Sequence, residues 1–245
     1  MSMQLKDFFD GWVQSAGGKY AGKQWMLSKW EVCDGIGWPP EKQEIMIRTI
    51  REGLRLEGMH SLADLGCGGG WIAESLRPYA GSVVGLDFCR EMLDIARSTG
   101  PGPWLEGAIG RLPFRAESFD RVLSYFVFLN FTDDSFVESA LLDMLRVTGR
   151  GGVVLIGQLP DASGSKEYDQ AKAEYWQYCK ASMPMGARND DGSRAPLRVF
   201  DRRQIQLMLS RNKIRYEFRP SFNPFYRPGE ECTVPWRFDL VLFKD

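Results

Sequence analysis

Along the chain, short apolar runs alternate with stretches whose apolar positions recur at helical spacing. Pro39-Pro40 opens the first clear helix, because proline is tolerated in a first turn, and Ile47, Ile50 and Leu54 keep the spacing through about Leu56. Residues 62–65 read as a short strand that ends in glycines, and 71–79 as a helix with Ile72, Leu76 and Tyr79 on one face. Residues 82–86 form a second apolar strand, followed by a helix over 90–97 with Met92, Leu93 and Ala96 inward. A Pro/Gly turn at 100–103 leads to a weak strand at 104–106, and 119–127 is a strong one. Residues 133–148 read as a helix with Ser135 and Glu138 in capping-box spacing, and Gly151-Gly152 leads to a strand at 153–156. Almost wholly apolar strands that alternate with helices predict a parallel sheet covered on both faces.

The last third differs. Residues 166–183 predict a tyrosine-rich helix, 185–195 a polar loop, and 200–212 a helix with Asp201 near its start. Two strands, at 214–218 and 236–243, finish the chain, and the segment between them, with Pro220, Pro224, Pro228 and Pro235, predicts a structured loop rather than a tight hairpin. The first 38 residues are rich in aromatics and glycine and read as short helices and loops lying over the rest. The expected fold is therefore α/β: a Rossmann-like, seven-stranded mixed sheet with an antiparallel last strand, helices on both faces and helical lid elements. The expected division is a lid segment over 1–38 and a main domain over 39–245, with a lid insertion at about 158–199.

Composition narrows the classes. The 245 residues carry 31 Lys+Arg against 32 Asp+Glu, a formal net charge of −1 that argues against a protein built around nucleic-acid phosphates. No apolar run approaches the ~20 residues needed to span a bilayer. The opening MSMQLKDFFDGW is acidic early and lacks an apolar stretch, so no signal peptide is expected. Five scattered cysteines, never in CxxC spacing, fit a reducing cytoplasm rather than a disulfide framework. A single histidine, His60, excludes a His-rich metal site.

The sharpest feature is Asp64-Leu65-Gly66-Cys67-Gly68-Gly69-Gly70 ahead of a helix. Glycines at a strand-to-helix turn let the backbone turn tightly and leave no side chain between it and a ligand. Asp87 closes the next strand, 87 − 66 = 21 residues after Gly66. An acid there can accept hydrogen bonds from both ribose hydroxyls of a nucleoside lying across the strand ends. The plainer reading, a structural turn plus a helix-capping Asp, explains each feature alone but not their combination. The dinucleotide fingerprint GxGxxG/A fails from Gly66, because position 71 is Trp; a frame of Gly68, Gly70 and Ala73 begins two residues too late. No GxxxxGK[ST] phosphate loop is present, which argues against an ATPase.

Four stretches, ADLGCGGGWIAESL (63–76), VVGLDFCREMLDIAR (83–97), GRLPFRAESFDRVLS (110–124) and MLRVTGRGGVVLIG (144–157), occur in the order seen in a known family. The chain resembles the class I S-adenosylmethionine-dependent methyltransferases, especially the small-molecule branch that includes quinone-biosynthesis enzymes. The resemblance covers roughly residues 60 to 157; the two ends match only in general layout. It implies S-adenosylmethionine as cofactor and S-adenosylhomocysteine as product. It implies that Asp64, Gly66, Cys67, Gly68 and Gly70 approach the methionine part, that Asp87 holds the ribose, and that Phe88 and Met92 lie by the adenine. At Gly107-Ala108-Ile109-Gly110 the family often has an Asp that accepts from the adenine amino group. That acid is missing here, leaving Ala108 and the apolar wall and amide of Ile109, a loss of ~0.5–1.5 kcal/mol. Glu106 would replace it only if the strand were shifted by two residues. At Gly149-Arg150-Gly151-Gly152 the family commonly has Pro before the glycine pair, a difference confined to a turn.

A sulfonium methyl is already activated, so transfer is a single in-line displacement in which the protein aligns the acceptor and excludes water. A base is needed only for a hydroxyl or a protonated amine. His60 precedes the first strand, at the wrong end of the sheet, so any base would be Asp, Glu, Tyr or Lys. Tyr125, Phe126, Phe128 and Asn130 follow the fourth strand, where open sheets bind ligands. Tyr125 and Asn130 are the catalytic candidates, as groups that orient an acceptor, and Tyr125 is also a cofactor contact. At least one of Phe126 and Phe128 reads as core, and Asp133 as a helix cap rather than a base.

Tyr168, Tyr175 and Tyr178 share one helix face, which core packing explains as readily as substrate contact. Trp25, Lys29 and Trp30 would close over the cofactor, and Tyr20 would reach its carboxylate. Arg188, Arg194 and Arg198 suit a solvated loop better than an anionic substrate. The expected partner is a small-molecule methyl acceptor, with no membrane and no nucleic acid; the oligomeric state and acceptor stay open. The alternatives are a nicotinamide-dependent oxidoreductase on a similar sheet and a non-catalytic nucleoside-binding protein.

Overall fold

The computed structural model describes residues 40–131, 133–182, 198–225 and 230–245. The elements are α1 (Pro40–Leu54), β1 (Ser61–Leu65), α2 (Trp71–Leu76), β2 (Ser82–Asp87), α3 (Arg90–Thr99), β3 (Trp104–Glu106), β4 (Phe119–Tyr125), α4 (Asp134–Val147), β5 (Thr148–Pro160), α5 (Ser165–Ser182), α6 (Arg202–Arg211), β6 (Arg215–Phe222) and β7 (Thr233–Phe243). The strands form one sheet in the order β3-β2-β1-β4-β5-β7-β6. Pairs from β3 to β5 are parallel, and β7 is antiparallel to both of its neighbours. The expected seven-stranded mixed sheet is the observed one.

Each face of the sheet has its own core. Ile50 and Leu54 of α1, Trp71 and Leu76 of α2 and Leu93 of α3 pack with Leu62, Val83, Leu123 and Leu155 on one face. Leu141 and Met144 of α4 and Ile205 and Leu209 of α6 pack with Ala63, Leu65, Val122, Ile156 and Leu240 on the other. Alternate residues of one strand feed opposite cores, as a two-sided sheet requires. Burying a residue such as Ile50 or Leu209, both fully inaccessible, is worth about 1.5–3 kcal/mol.

Winding runs from β1 out to β3 and then returns to β4 on the other side of β1. Diverging connections at such a reversal leave a crevice beyond the strands' carboxyl ends. This positions the site.

Several boundaries differ from the sequence expectation. The α4 cap is Asp133, whose carboxylate accepts from the amides of Ser135 (2.8 Å) and Phe136 (3.4 Å). Asp133 was expected as a cap, but the Ser135–Glu138 box is not formed. Glu138 instead accepts from Arg211 and Asn212 of α6, tying the two helices together. β5 runs to Pro160, further than the expected 153–156. Its register shifts between Ile156 and Leu159, where Gln158 adopts φ +67°; a bulge of this kind hides a strand's continuation from a periodicity reading. β6 and β7 likewise extend to Phe222 and back to Thr233, taking in Pro220 and Pro235. Pro220 is tolerated on an edge strand, and Pro235 lies beyond the last β5–β7 pair, Pro160–Arg237. The N-terminal lid segment, the 185–195 loop, Tyr20, Trp25, Lys29, Trp30, Arg188 and Arg194 lie outside the described residues, as do the side chains of Tyr175 and Tyr178.

Candidate cofactor site at the carboxyl ends of β1 and β2

The loop after β1 carries Gly66 at φ +80° and Gly68 at φ +52°, backbone that side chains other than glycine rarely adopt. A Cβ on Gly66 would fall 2.5 Å from Val127, and one on Gly70 2.6 Å from the Trp104 ring, so these glycines also let neighbours close in. A Cβ on Gly68 would fall 3.2 Å from the Met92 methyl. The amides of Gly66 and Cys67 donate to the Leu86 carbonyl (2.7 and 3.1 Å), which locks the loop onto the end of β2.

Two carboxylates face each other across this loop. Asp87 is 7% exposed. Its Oδ2 accepts from the Gly68 amide (2.8 Å) and its Oδ1 from the Cys89 amide (2.9 Å). Burial raises its pKa against those two amides and that of Phe88. Each carboxylate oxygen keeps a second lone pair, so Asp87 is fixed in place and still able to accept. Asp64 is 2% exposed, and its Oδ2 has no hydrogen-bond partner. Burial, then the charge of Asp87, push its pKa up to about 7, opposed by the Ala73 amide. No ion pair involving either carboxylate occurs among the described residues. Cys67 is a buried thiol whose pKa is raised well above its usual value by the same burial and charges.

The remaining predicted cofactor residues ring this pair. Phe88 is half-buried beside Asp87, Met92 packs under Gly68, and Ala108 and Ile109 follow β3, whose Glu106 pairs in register with Asp87. Glu106 is not shifted to replace the missing acid; it faces Arg90 at 3.3 Å and both side chains are at least half exposed.

The predicted catalytic pair lies at and just after the end of β4, the strand beside β1. Tyr125 is 3% exposed. Its ring lies over Gly157, and its hydroxyl meets Nε2 of Gln158 at 3.3 Å. Burial, then the charge of Asp239, hold its phenol protonated well above the usual range. The Asn130 amide donates to the carbonyls of Phe126 (3.3 Å) and Val127 (3.0 Å), bracing the turn after β4. Phe126 takes φ +62° there, and Phe128 is core. His60 lies at the amino end of the sheet, accepting from the Glu57 amide and meeting Arg121 at 2.9 Å.

Beyond Tyr125 is a buried network that the sequence reading passed over. Gln158 Nε2 donates to Ser221 Oγ (2.7 Å) and the Phe222 carbonyl (2.7 Å), and its Oε1 accepts from Arg237 (2.9 Å). Asp239 accepts from the Gln158 amide (3.0 Å) and from Ser221. Its pKa is pushed up to about 6, by burial against those bonds and against the charges of Arg219 and Arg237. The visible signal was a Gln, an Arg and an Asp inside otherwise apolar strands. The Arg237 guanidinium lies over Tyr168, 5.0 Å from the ring centre, and Tyr168, half-buried, packs on Phe225 and Trp236. Arg198 pairs with Asp134. No group of three or more His, Cys, Asp or Glu side chains that could hold a metal occurs among the described residues. No helix among them is long and apolar enough to cross a membrane.

The methyltransferase domain family matches residues 63–156, which hold both carboxylates, the glycine loop and β4. Similar curated proteins include the malonyl-[acyl-carrier protein] O-methyltransferase of Erwinia pyrifoliae, 37% identical over 123 residues (50% of this chain, 44% of that protein). The demethylmenaquinone methyltransferase of Streptomyces griseus is 30% identical over 145 residues (58% of this chain, 59% of that protein). The chain thus spans about half the length of these relatives. Among solved structures, a putative methyltransferase from Haloferax volcanii, in complex with the Trm112 methyltransferase activator, matches with a TM-score of 0.63 at 15% identity, covering 96% of each chain. A methyltransferase from Methanosarcina mazei matches with a TM-score of 0.58 at 16% identity, covering 80% of this chain and 96% of that one. Residues 63–156 thus match a methyltransferase domain, and the chain's fold is that of the solved methyltransferases it resembles. A methyltransferase domain implies S-adenosylmethionine as cofactor, and the crevice chemistry fits it: a buried carboxylate oxygen without a described partner suits an ammonium, and a fixed carboxylate suits a diol.

Proposed function

We propose that this protein transfers a methyl group from S-adenosylmethionine to O, N or C of a small-molecule acceptor by in-line displacement. The observation that carries the reading is Asp64 Oδ2, a buried acceptor with no partner, beside a second carboxylate and a glycine loop. Two negative groups attract a cation. They would repel the pyrophosphate of a nicotinamide dinucleotide, which weighs against the oxidoreductase alternative.

When bound, the cofactor supplies an electrophilic methyl on a positively charged sulfur. Asp87 accepts the ribose hydroxyls through the lone pairs that Gly68 and Cys89 leave free. Asp64 accepts the ammonium, and the side-chain-free backbone at Gly66 and Gly68 lets the amino-acid tail lie close. Phe88, Met92, Ala108 and Ile109 border the base. The acceptor enters over the turn after β4, where Asn130 keeps its Oδ1 for orientation. Tyr125, buried and protonated, is no base. Such a site favours acceptors that are nucleophilic without help, such as a carboxylate oxygen or an electron-rich carbon. The curated relatives are named for a malonyl group on a carrier protein and for demethylmenaquinone, which agrees with that chemistry.

Calorimetry with S-adenosylhomocysteine and NAD(P)H, followed by labelled methyl transfer into a metabolite pool, tests the proposal. Binding of the thioether and transfer to some acceptor are expected. Tight NAD(P)H binding with no thioether binding would overturn it, and thioether binding without transfer would favour the non-catalytic reading.

A further inference from the structure

We infer that Asn130 is a positioning residue for the cofactor: it braces the turn after β4 so that Val127 bears on Gly66, and through that contact it sets how the glycine loop meets the amino-acid tail. The inference rests on the proposed function, which seats that tail along Gly66 and Gly68.

Gly66 is gripped from two sides. On one side its amide donates to the Leu86 carbonyl at the end of β2 (2.7 Å). On the other the Val127 side chain fills the space that a Cβ would need, with its two methyls 2.5 and 3.2 Å from that point. The first grip is made by backbone alone. The second depends on where the turn holds Val127.

That turn needs support. Phe126 enters it at φ +62°, left-handed backbone that a residue with a Cβ avoids and keeps only where its surroundings over-determine it. Phe126 packs toward the core on one face of the sheet and Val127 toward the core on the other, so a change of backbone at 126 re-aims Val127. Asn130 supplies the hold. Its Nδ2 donates to the carbonyls of Phe126 (3.3 Å) and Val127 (3.0 Å), and its own backbone amide donates to the Val127 carbonyl as well (3.0 Å). One residue thus fixes both peptide units that flank Val127. An aspartate has the same shape but no donor, and would turn a negative charge toward two carbonyls. A residue that served the turn alone would change stability and leave the crevice as it is. One that faced the acceptor alone would leave cofactor affinity unmoved.

The test is calorimetric titration of S-adenosylhomocysteine into the full chain, Asn130→Asp, Val127→Ala and the double variant, with Tm measured alongside. Each single change should weaken binding by about tenfold. The double variant should also lose only about tenfold, because without the Val127 methyls Asn130 has nothing to act through. Val127→Thr keeps a branched side chain over Gly66 and should bind within about threefold of the unaltered protein, whatever its Tm. A folded Asn130→Asp with unchanged affinity overturns the inference, as does a double variant weaker by about a hundredfold, or a Val127→Thr as weak as Val127→Ala. Should Asn130→Asp not fold, Asn130→Ala takes its place with the same expectations. If the unaltered protein binds no thioether, the cofactor reading itself fails and takes this inference with it, an outcome distinct from losses that multiply.

Discussion

The two halves of the sheet handle buried polar groups in opposite ways. Around β1 and β2, Asp64 and Asp87 are close enough that the charge of Asp87 raises the pKa of Asp64, with no ion pair and, for Asp64 Oδ2, no hydrogen-bond partner among the described residues. Around β5, β6 and β7, Gln158, Ser221, Asp239 and Arg237 are just as buried, but Gln158, Ser221 and Asp239 are cross-bonded within the protein and Arg237 donates into the same network. Burying an unmatched acceptor costs stability, while side-chain bonds between strands, such as those of Gln158, Ser221 and Asp239, hold the strands in register. On the proposed function the first half serves a ligand and the second the fold, although both lie at the same end of the sheet.

Removing a carboxylate from the first half should cost binding. Asp87→Ala is expected to lower S-adenosylhomocysteine affinity by about tenfold to a hundredfold in calorimetry, since a charge-assisted bond is worth ~1.5–3 kcal/mol. Unchanged affinity would place the ribose elsewhere.

Asp64→Asn should weaken binding by about tenfold and yet stabilise the ligand-free protein at pH 8. The folded-state pKa of about 7 lies above the ordinary 3.8, so the folded chain holds that proton more tightly. This group's contribution to stability then falls as pH rises between those values and is lowest above them. The neutral amide removes that penalty, and each ~1 kcal/mol regained raises Tm by about 2–4 °C. The same pKa predicts that thioether affinity in the unaltered protein drops by roughly tenfold from pH 8 to pH 6, as the acceptor of the ammonium becomes protonated. The variant should lose that dependence; a melt in which it is the less stable form at pH 8 would contradict the assignment.

In the second half the expected signs reverse. Gln158→Ala opens the network and should cost ~1–3 kcal/mol, visible as a lower Tm, while thioether affinity stays within about threefold. Smallest of all is Glu106→Gln, which breaks only the exposed pair with Arg90 and should leave Tm and binding within error. A marked loss of affinity there would mean that Glu106 reads the base after all.

The legible parts of the molecule are those where local chemistry and tertiary role agree. Apolar runs gave β1, β2 and β4 almost to the residue, because a strand buried on both faces leaves no other pattern. The spacing from Gly66 to Asp87 marked the crevice for the same reason: loop and strand end are neighbours in sequence as well as in space. Gln158 escaped because a bulge rotates it out of the strand alternation, and its partners Ser221, Arg237 and Asp239 arrive from strands some 60 to 80 residues later. Tyr125 was visible as a residue after a strand, but its burial over Gly157 depends on β5 carrying no side chain there, a contact across strands. The Ser135–Glu138 spacing lost to Asp133, which reaches the same first-turn amides from an extended position just ahead of the helix.

The most direct test is a crystal structure of the protein with S-adenosylhomocysteine. The account predicts both ribose hydroxyls within hydrogen-bond distance of the Asp87 carboxylate and the ammonium on Asp64 Oδ2. Density for the thioether away from these two side chains, with Asp64 still unpartnered, would contradict it.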